Sequence, residues 1–261
     1  MPGRLPTYAP AVTEPEPHRP QLDLRGMLLD PDSFMPVLLL AIVCMVLFPF
    51  SENFRLGALF VYPASAALLV IALHHSRVHP RVMRGAVGVL ILVGVGTLLS
   101  SIARLLNVGE ERHMVATASF LYAILFAVAF PAIVRRAFQH RNVSLNTLAA
   151  GISAYLIIGL WFAALYRGMA SVEGGGFFAQ PGPPRPGDFV YFSFITLTTV
   201  GYGDLTPLSS AARSAAVIEA VLGQVFLVTA VARIVSLLGS TRDARPPAPA
   251  AHDFQGPAET D

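Results

Sequence analysis

The sequence predicts an all-α membrane protein: six transmembrane helices, with a half-length re-entrant helix and a glycine-punctuated strand between the last two. Three observations carry this prediction. The 261 residues are 54% hydrophobic and only 13% charged, with mean hydropathy +0.60, whereas soluble domains carry about twice that charged fraction. The apolar residues fall in long runs, not in alternation. Between the fifth and sixth runs lies TLTTVGYGD (196–204), short, polar and non-helical in character.

The elements follow in order. Residues 1–33 are rich in Pro and charge and are expected to be a disordered N-terminus. The first apolar run starts only after this polar stretch, which is not the layout of a signal peptide. Runs at 34–50, 56–73, 85–103 and 114–134 predict a four-helix transmembrane domain over 34–134, and two more follow at 145–166 and 211–238. Each comes near the roughly 20 residues that a helix needs to cross the hydrocarbon core, the first being the shortest. The segment 168–187 is a Gly/Pro-rich loop. DFVYFSFITLT (188–198) spans only about 16 Å as a helix, so it can dip into a bilayer but cannot cross it. Asp188 is placed to cap its N-terminus, and the negative end of its dipole points toward the membrane centre, where it favours a cation. The tail 239–261 is Pro/Ala/Asp-rich, expected to be disordered and too small to form a nucleotide- or calcium-binding domain.

Charge sets orientation and narrows the function classes. A net charge of +2 gives no reason to expect a nucleic-acid partner. All basic residues are Arg. With the N-terminus inside, Arg4, Arg19, Arg25, Arg77, Arg81, Arg84, Arg135, Arg136, Arg141, Arg233, Arg242 and Arg245 are cytoplasmic. Only Arg55, Arg104, Arg112, Arg167, Arg185 and Arg213 are external. The bias puts both termini in the cytoplasm of a multi-pass protein of the plasma membrane, the inner membrane if the cell is bacterial. Cys44, the single cysteine, lies in an apolar run and reads as a packed small residue. The histidines of HHSRVHPR (74–81) and His140 fall in predicted cytoplasmic loops, where solvated histidines are the expected reading over a metal site.

A membrane tolerates non-helical backbone only where it is buried in protein or lines a wet cavity. In the strand, Thr199, Val200, Gly201 and Tyr202 can turn backbone carbonyls toward an axis, and the Thr199 hydroxyl adds one more oxygen. Such oxygens replace the water of a dehydrating cation. Consecutive carbonyls face one way only if alternate residues take left-handed backbone angles, and Gly201 and Gly203 stand at alternate positions. One chain supplies one row of oxygens, so a closed ring needs several copies.

TTVGYGD (198–204) resembles the selectivity filter of potassium channels. The setting is similar too: an aromatic-bearing pore helix (Tyr191, Phe192, Phe194) precedes it and an apolar inner helix follows. Gly223 stands 19 residues after Asp204, where many family members have a hinge glycine. The resemblance covers 145–238 and implies a pore domain with outer helix, pore helix 188–198, filter 199–204 and inner helix 211–238. It implies a homotetrameric pore that passes K⁺ passively, without enzymatic chemistry. K⁺, the permeant ion and not a cofactor, would bind at Thr199, Val200, Gly201 and Tyr202. Thr198, Gly203, Asp204 and Tyr191 would support the filter, with membrane lipid as the remaining partner. Asp204 reads as a brace behind the filter or as a cation attractor at its mouth, with a plain turn acid as the alternative. Tyr202 could brace through its hydroxyl as well. Many relatives carry two tryptophans where this chain has Tyr191 and Phe192, and some carry an acid where it has Ile195. Thr206 would face the outer vestibule; being non-aromatic, it offers no cage for quaternary ammonium ions.

On the inner helix, Gly223, Leu227 and Val231 recur at i, i+4, i+8 with Gln224 beside them. They read as a cavity lining with a hinge at Gly223, or as close helix packing. Glu219 is the acid well inside a predicted span, and intramembrane carboxylates are costly. It either hydrogen-bonds behind the pore helix, partly replacing the acid missing at Ile195, or has no special role. A voltage sensor needs several Arg at every third position of one span, since each charge contributes about 2.3 kcal/mol per 100 mV. The fourth run, MVATASFLYAILFAVAFPAIV, contains none, so voltage-independent conduction is expected. A potassium transporter subunit would be expected to show four linked, degenerate pore repeats. A membrane enzyme would be expected to show converging ionisable groups.

Overall fold

The computed structural model describes residues 33–50, 57–76, 78–105, 112–139, 145–173 and 176–243. The described residues form seven helices: α1 (Met35–Phe50), α2 (Gly57–His75), α3 (Pro80–Leu105), α4 (Arg112–Gln139), α5 (Leu145–Glu173), α6 (Pro186–Leu197) and α7 (Ser210–Asp243). The expected disordered segments fall outside the described residues at 1–32 and 244–261. Helices are the form these apolar runs must take, because each then satisfies its own backbone hydrogen bonds without water.

Each of the six apolar runs lies in a helix. The spans within α3 (Pro80–Leu98), α4 (Val115–Arg135), α5 (Leu145–Glu173) and α7 (Ser210–Ser236) are long and apolar enough to cross a membrane. Among the described residues, α1 and α2 contribute the shorter apolar stretches Met35–Phe48 and Pro63–His75. The boundaries move outward from those read in the sequence. The fifth helix continues from the expected end at 166 to Glu173, and the last runs past 238 to Asp243, so the expected tail begins inside a helix. Hydrophobic runs under-measure such helices, because their polar ends project beyond the apolar band.

Helices α1 and α4 pack directly on α5, whereas α2 packs on α1, α3 and α4, and α3 on α2 and α4. The most extensive contact is α4 on α5, and α1 also touches both α5 and α6. The Asn146 side-chain carbonyl accepts the Phe34 backbone N–H, which pins the start of α1 to the start of α5. The buried core here is Phe34, Val37, Ala41, Cys44, Leu68, Leu69, Ala72 and Leu73 from α1 and α2, against Leu125, Phe126, Ala129 and Ile133 of α4 and Ala150, Ala154 and Ile157 of α5. Cys44 is a buried free thiol within it. Lipid tails are as apolar as leucine, so helices in a membrane associate through close packing at small residues. Gly168 of α5 shows this: a Cβ there would stand 3.0 Å from the Phe120 ring of α4.

A second core sits under the short helix. Ile158, Phe162 and Tyr166 of α5, Phe177 and Phe178 of the following loop, and Phe189, Phe192 and Leu197 of α6 are all buried. Their rings meet mainly edge-on, Tyr166 with Phe192 at 5.1 Å and Phe178 with Phe192 at 5.3 Å between centroids, the arrangement that ring quadrupoles favour.

Candidate functional site

The site is built on α6. Pro186 stands in its first turn, where the missing N–H costs nothing. The N-cap is Arg185, and Asp188 lies at the third helical position with its carboxylate accepting the Arg185 backbone N–H at 2.8 Å. This corrects the expected start at Asp188: the acid closes the first turn from inside the helix, because the preceding proline already begins it. At the other end, Thr198 is the C-cap and donates its hydroxyl back to the Phe194 carbonyl at 2.6 Å. The Leu197 carbonyl accepts the Tyr155 hydroxyl of α5 at 3.0 Å, so the orphan acceptors of this helix end are met by side chains together with the backbone amides that follow.

The strand then leaves α6 with an alternating backbone. Thr199, Gly201 and Gly203 have φ of 61°, 49° and 78°, left-handed at every second residue. Glycine takes such angles at little cost; threonine costs about 1–2 kcal/mol more. The Thr199 angle is a local outlier of the kind that concentrates at functional sites. The Val200 and Gly201 amides both donate to the Ile195 carbonyl, at 2.9 and 3.1 Å, which ties the strand to the last turn of α6. In a single chain Thr198 to Asp204 are all exposed, Tyr202 at 73%.

At the end of the strand the Tyr191 hydroxyl donates to Asp204 Oδ2 at 2.7 Å, and Asp204 Oδ1 accepts the Leu205 amide at 3.1 Å. The carboxylate accepting that proton pushes the Tyr191 hydroxyl up to about 12. The loop before α6 pairs with the chain after the strand: Ala179 N–H donates to the Thr206 carbonyl at 2.8 Å and Leu208 N–H to the Phe177 carbonyl at 2.9 Å. Thr206 is exposed, and its own amide donates to the Gln180 side-chain carbonyl at 3.1 Å. The Gly/Pro-rich segment is thus a built rim, which its composition alone did not reveal.

Helix α7 divides its residues differently from the face read in the sequence. Gln224, Leu227 and Val231 are exposed in one chain, but Gly223 is buried. A Cβ at Gly223 would lie 2.6 Å from Leu197 Cδ1 and 2.9 Å from the Leu197 carbonyl oxygen. Gly223 therefore packs under the C-terminus of α6 and does not share the open surroundings of Leu227 and Val231. Only 17% of the membrane-length window of α7 is buried, against 56% for α5. Glu219 is completely buried, bonded to Tyr166 of α5 and Ser193 of α6.

Residues 150–240, which hold all of this geometry, match a family model described as "Ion channel". Over 61 residues the chain is 41% identical to "Two pore potassium channel c" of Oryza sativa subsp. japonica. The aligned stretch is 23% of this chain and only 12% of that relative's length. Residues 150–240 are thus similar to an ion channel domain, and part of the chain is similar to a potassium channel. No solved structure matches the chain.

The matched residues take in nearly all of α5, the short α6 and most of α7 of a membrane-embedded, multi-pass protein. Sequence reasoning missed Tyr155, Tyr166 and Ser193. The available signal was their polarity inside otherwise apolar runs, since a hydroxyl in hydrocarbon must find a partner. Nothing in the sequence marked Thr199 as left-handed.

Proposed function

We propose that the protein is a homotetrameric, K⁺-selective channel with little or no voltage dependence, set in the plasma membrane with both termini cytoplasmic. The observation that carries this is the left-handed alternation at Thr199, Gly201 and Gly203. It is the backbone pattern that lets the carbonyls of successive residues point the same way, so that Thr199, Val200, Gly201 and Tyr202 can offer K⁺ a stack of oxygens in place of its water. The half-length pore helix supports the reading. Thr198 turns the chain out of it at its carbonyl end, where the dipole favours a cation.

The exposed, apolar α7 supports assembly. An inner helix this bare in one chain has surface left for lipid and for further copies, and a row of oxygens becomes a ring only when copies close around an axis. Val200 and Tyr202, half or more exposed, lie where neighbouring copies would cover them. Weak voltage dependence follows from Val115–Val134, which carries no charged residue along the span of α4.

The test is a flux assay with the purified protein in liposomes, paired with a mass measurement in detergent or nanodiscs. The reading predicts a particle of four chains that passes K⁺ much faster than Na⁺. A monomer, or equal flux of the two ions, refutes it.

A further inference from the structure

Glu219 is a fully buried carboxyl on the inner helix, and its contacts can be counted in protons. Tyr166 Oη lies 2.6 Å from Glu219 Oε2, and Ser193 Oγ lies 2.5 Å from Glu219 Oε1. Ser193 Oγ also lies 2.7 Å from the Gly159 carbonyl oxygen. Each of these three oxygen pairs needs a proton between its members. The two hydroxyls supply one apiece. A carbonyl has none to give, so the third must sit on Glu219. With a neutral acid the circuit closes in one direction. Tyr166 donates to Glu219, Glu219 donates to Ser193, and Ser193 donates to Gly159. An ionised carboxylate would leave two buried oxygens facing each other without a proton.

The circuit joins the three helices of the pore domain, running from Tyr166 on the outer helix to Glu219 on the inner helix, to Ser193 on the pore helix, and back to Gly159 on the outer helix. Gly159 is a close approach between pore and outer helices, since a Cβ there would stand 2.7 Å from the Phe194 ring. Ser193 is two residues from Ile195, whose carbonyl receives the Val200 and Gly201 amides. Whatever holds Ser193 in place therefore holds the anchor of the filter.

We propose that Glu219, as a neutral carboxylic acid bonded to Tyr166 and Ser193, is a positioning residue that fixes the pore helix and through it the selectivity filter. It touches no permeant ion and acts from behind. The proposal rests on the channel reading above and names a residue that tunes the same filter.

The test compares wild type with Glu219→Gln, Glu219→Ala and the near-isosteric Tyr166→Phe, each reconstituted as the full chain in planar bilayers. Glutamine accepts through its carbonyl and donates through its amide, as the neutral acid does, so Glu219→Gln keeps the wild-type K⁺/Na⁺ permeability ratio and open lifetime. Alanine leaves two buried hydroxyls without their partner, and the mean open lifetime falls about tenfold or more. Tyr166→Phe removes one link of the circuit and shortens the lifetime by a smaller factor, which keeps the test alive if the alanine variant does not assemble. A spectroscopic arm is independent of conduction: the infrared spectrum of wild type minus Glu219→Gln shows a protonated-carboxyl stretch. Glutamine behaving like alanine overturns the proposal, as does the lack of that stretch. Wild-type behaviour in all three variants overturns it too, while leaving the channel reading intact; a wild type that passes no K⁺ fails the channel reading instead.

Discussion

Gly223→Ala separates close packing from hinge bending at the residue where the sequence allowed both. The added methyl would lie 2.6 Å from Leu197 Cδ1 and 2.9 Å from the Leu197 carbonyl oxygen. Carbon pairs rest at about 3.5–4.0 Å and carbon–oxygen pairs at about 3.3–3.6 Å. The Leu197 side chain can swing away, but its carbonyl is backbone and already accepts the Tyr155 hydroxyl. Relief thus requires the end of the pore helix and α7 to separate by roughly half an ångström. Overpacking of this kind costs about 1–3 kcal/mol. At about 2–4 °C per kcal/mol for chains of 150–250 residues, the melting temperature falls by roughly 2–12 °C. Because Thr198 and the filter follow directly from Leu197, the K⁺/Na⁺ permeability ratio falls as well. The assay is thermal unfolding followed by chromatography of the assembled protein, with bilayer recordings on the same samples. In a Leu197→Ala background the alanine at 223 should cost less, because one of its two clashes is gone. If Gly223→Ala leaves both the melting temperature and the permeability ratio unchanged and alters only open probability, bending is its role and the packing argument is wrong.

Tyr191→Phe removes the hydroxyl that donates to Asp204 and should shorten open lifetime while leaving assembly intact; an unchanged lifetime means the pair does not brace the filter. The same pair makes a pH prediction. The Tyr191 hydroxyl is raised to about 12 because Asp204 accepts its proton. A raised group keeps its contribution below its ordinary value near 10 and loses it as pH passes through the raised one. The difference between wild type and Tyr191→Phe should hold up to about pH 10 and vanish toward about 12. Gly201→Ala forces a side chain into a left-handed angle at a cost of about 1–2 kcal/mol in every copy and should abolish selective K⁺ current; normal selectivity would show that the alternation is dispensable. Conductance measured against voltage in symmetrical K⁺ should be nearly flat, and a steep curve would contradict the charge-free α4 span. External tetraethylammonium should block weakly, since Thr206 offers no aromatic ring, and high-affinity block would place another residue at the mouth.

Much of the candidate site's local structure was legible because it is set by neighbouring residues. A half-length apolar helix, two alternate glycines and the acid after them are all properties of consecutive residues, and TTVGYGD needed no tertiary contact to be read. The Tyr191–Asp204 pair could be anticipated because both residues flank the same short loop. Contacts across the fold were less visible. Tyr155 reaching Leu197, and Tyr166 with Ser193 closing on Glu219, join residues 26 to 53 positions apart, and a hydroxyl in an apolar run does not announce its partner. The helical period grouped Gly223 with Leu227 and Val231. It could not tell that α6 ends against the first and leaves the other two exposed. Helix ends were misjudged for a related reason: hydropathy reports the membrane band, while hydrogen bonding carries α5 and α7 beyond it.

The most direct test of the central claim is the reversal potential of the purified, reconstituted protein with K⁺ on one side of the bilayer and Na⁺ on the other. A stack of backbone oxygens fitted to dehydrated K⁺ predicts a potential strongly displaced from zero, in the direction that K⁺ permeation sets. A reversal near zero, with sodium carrying as much current as potassium, would contradict it.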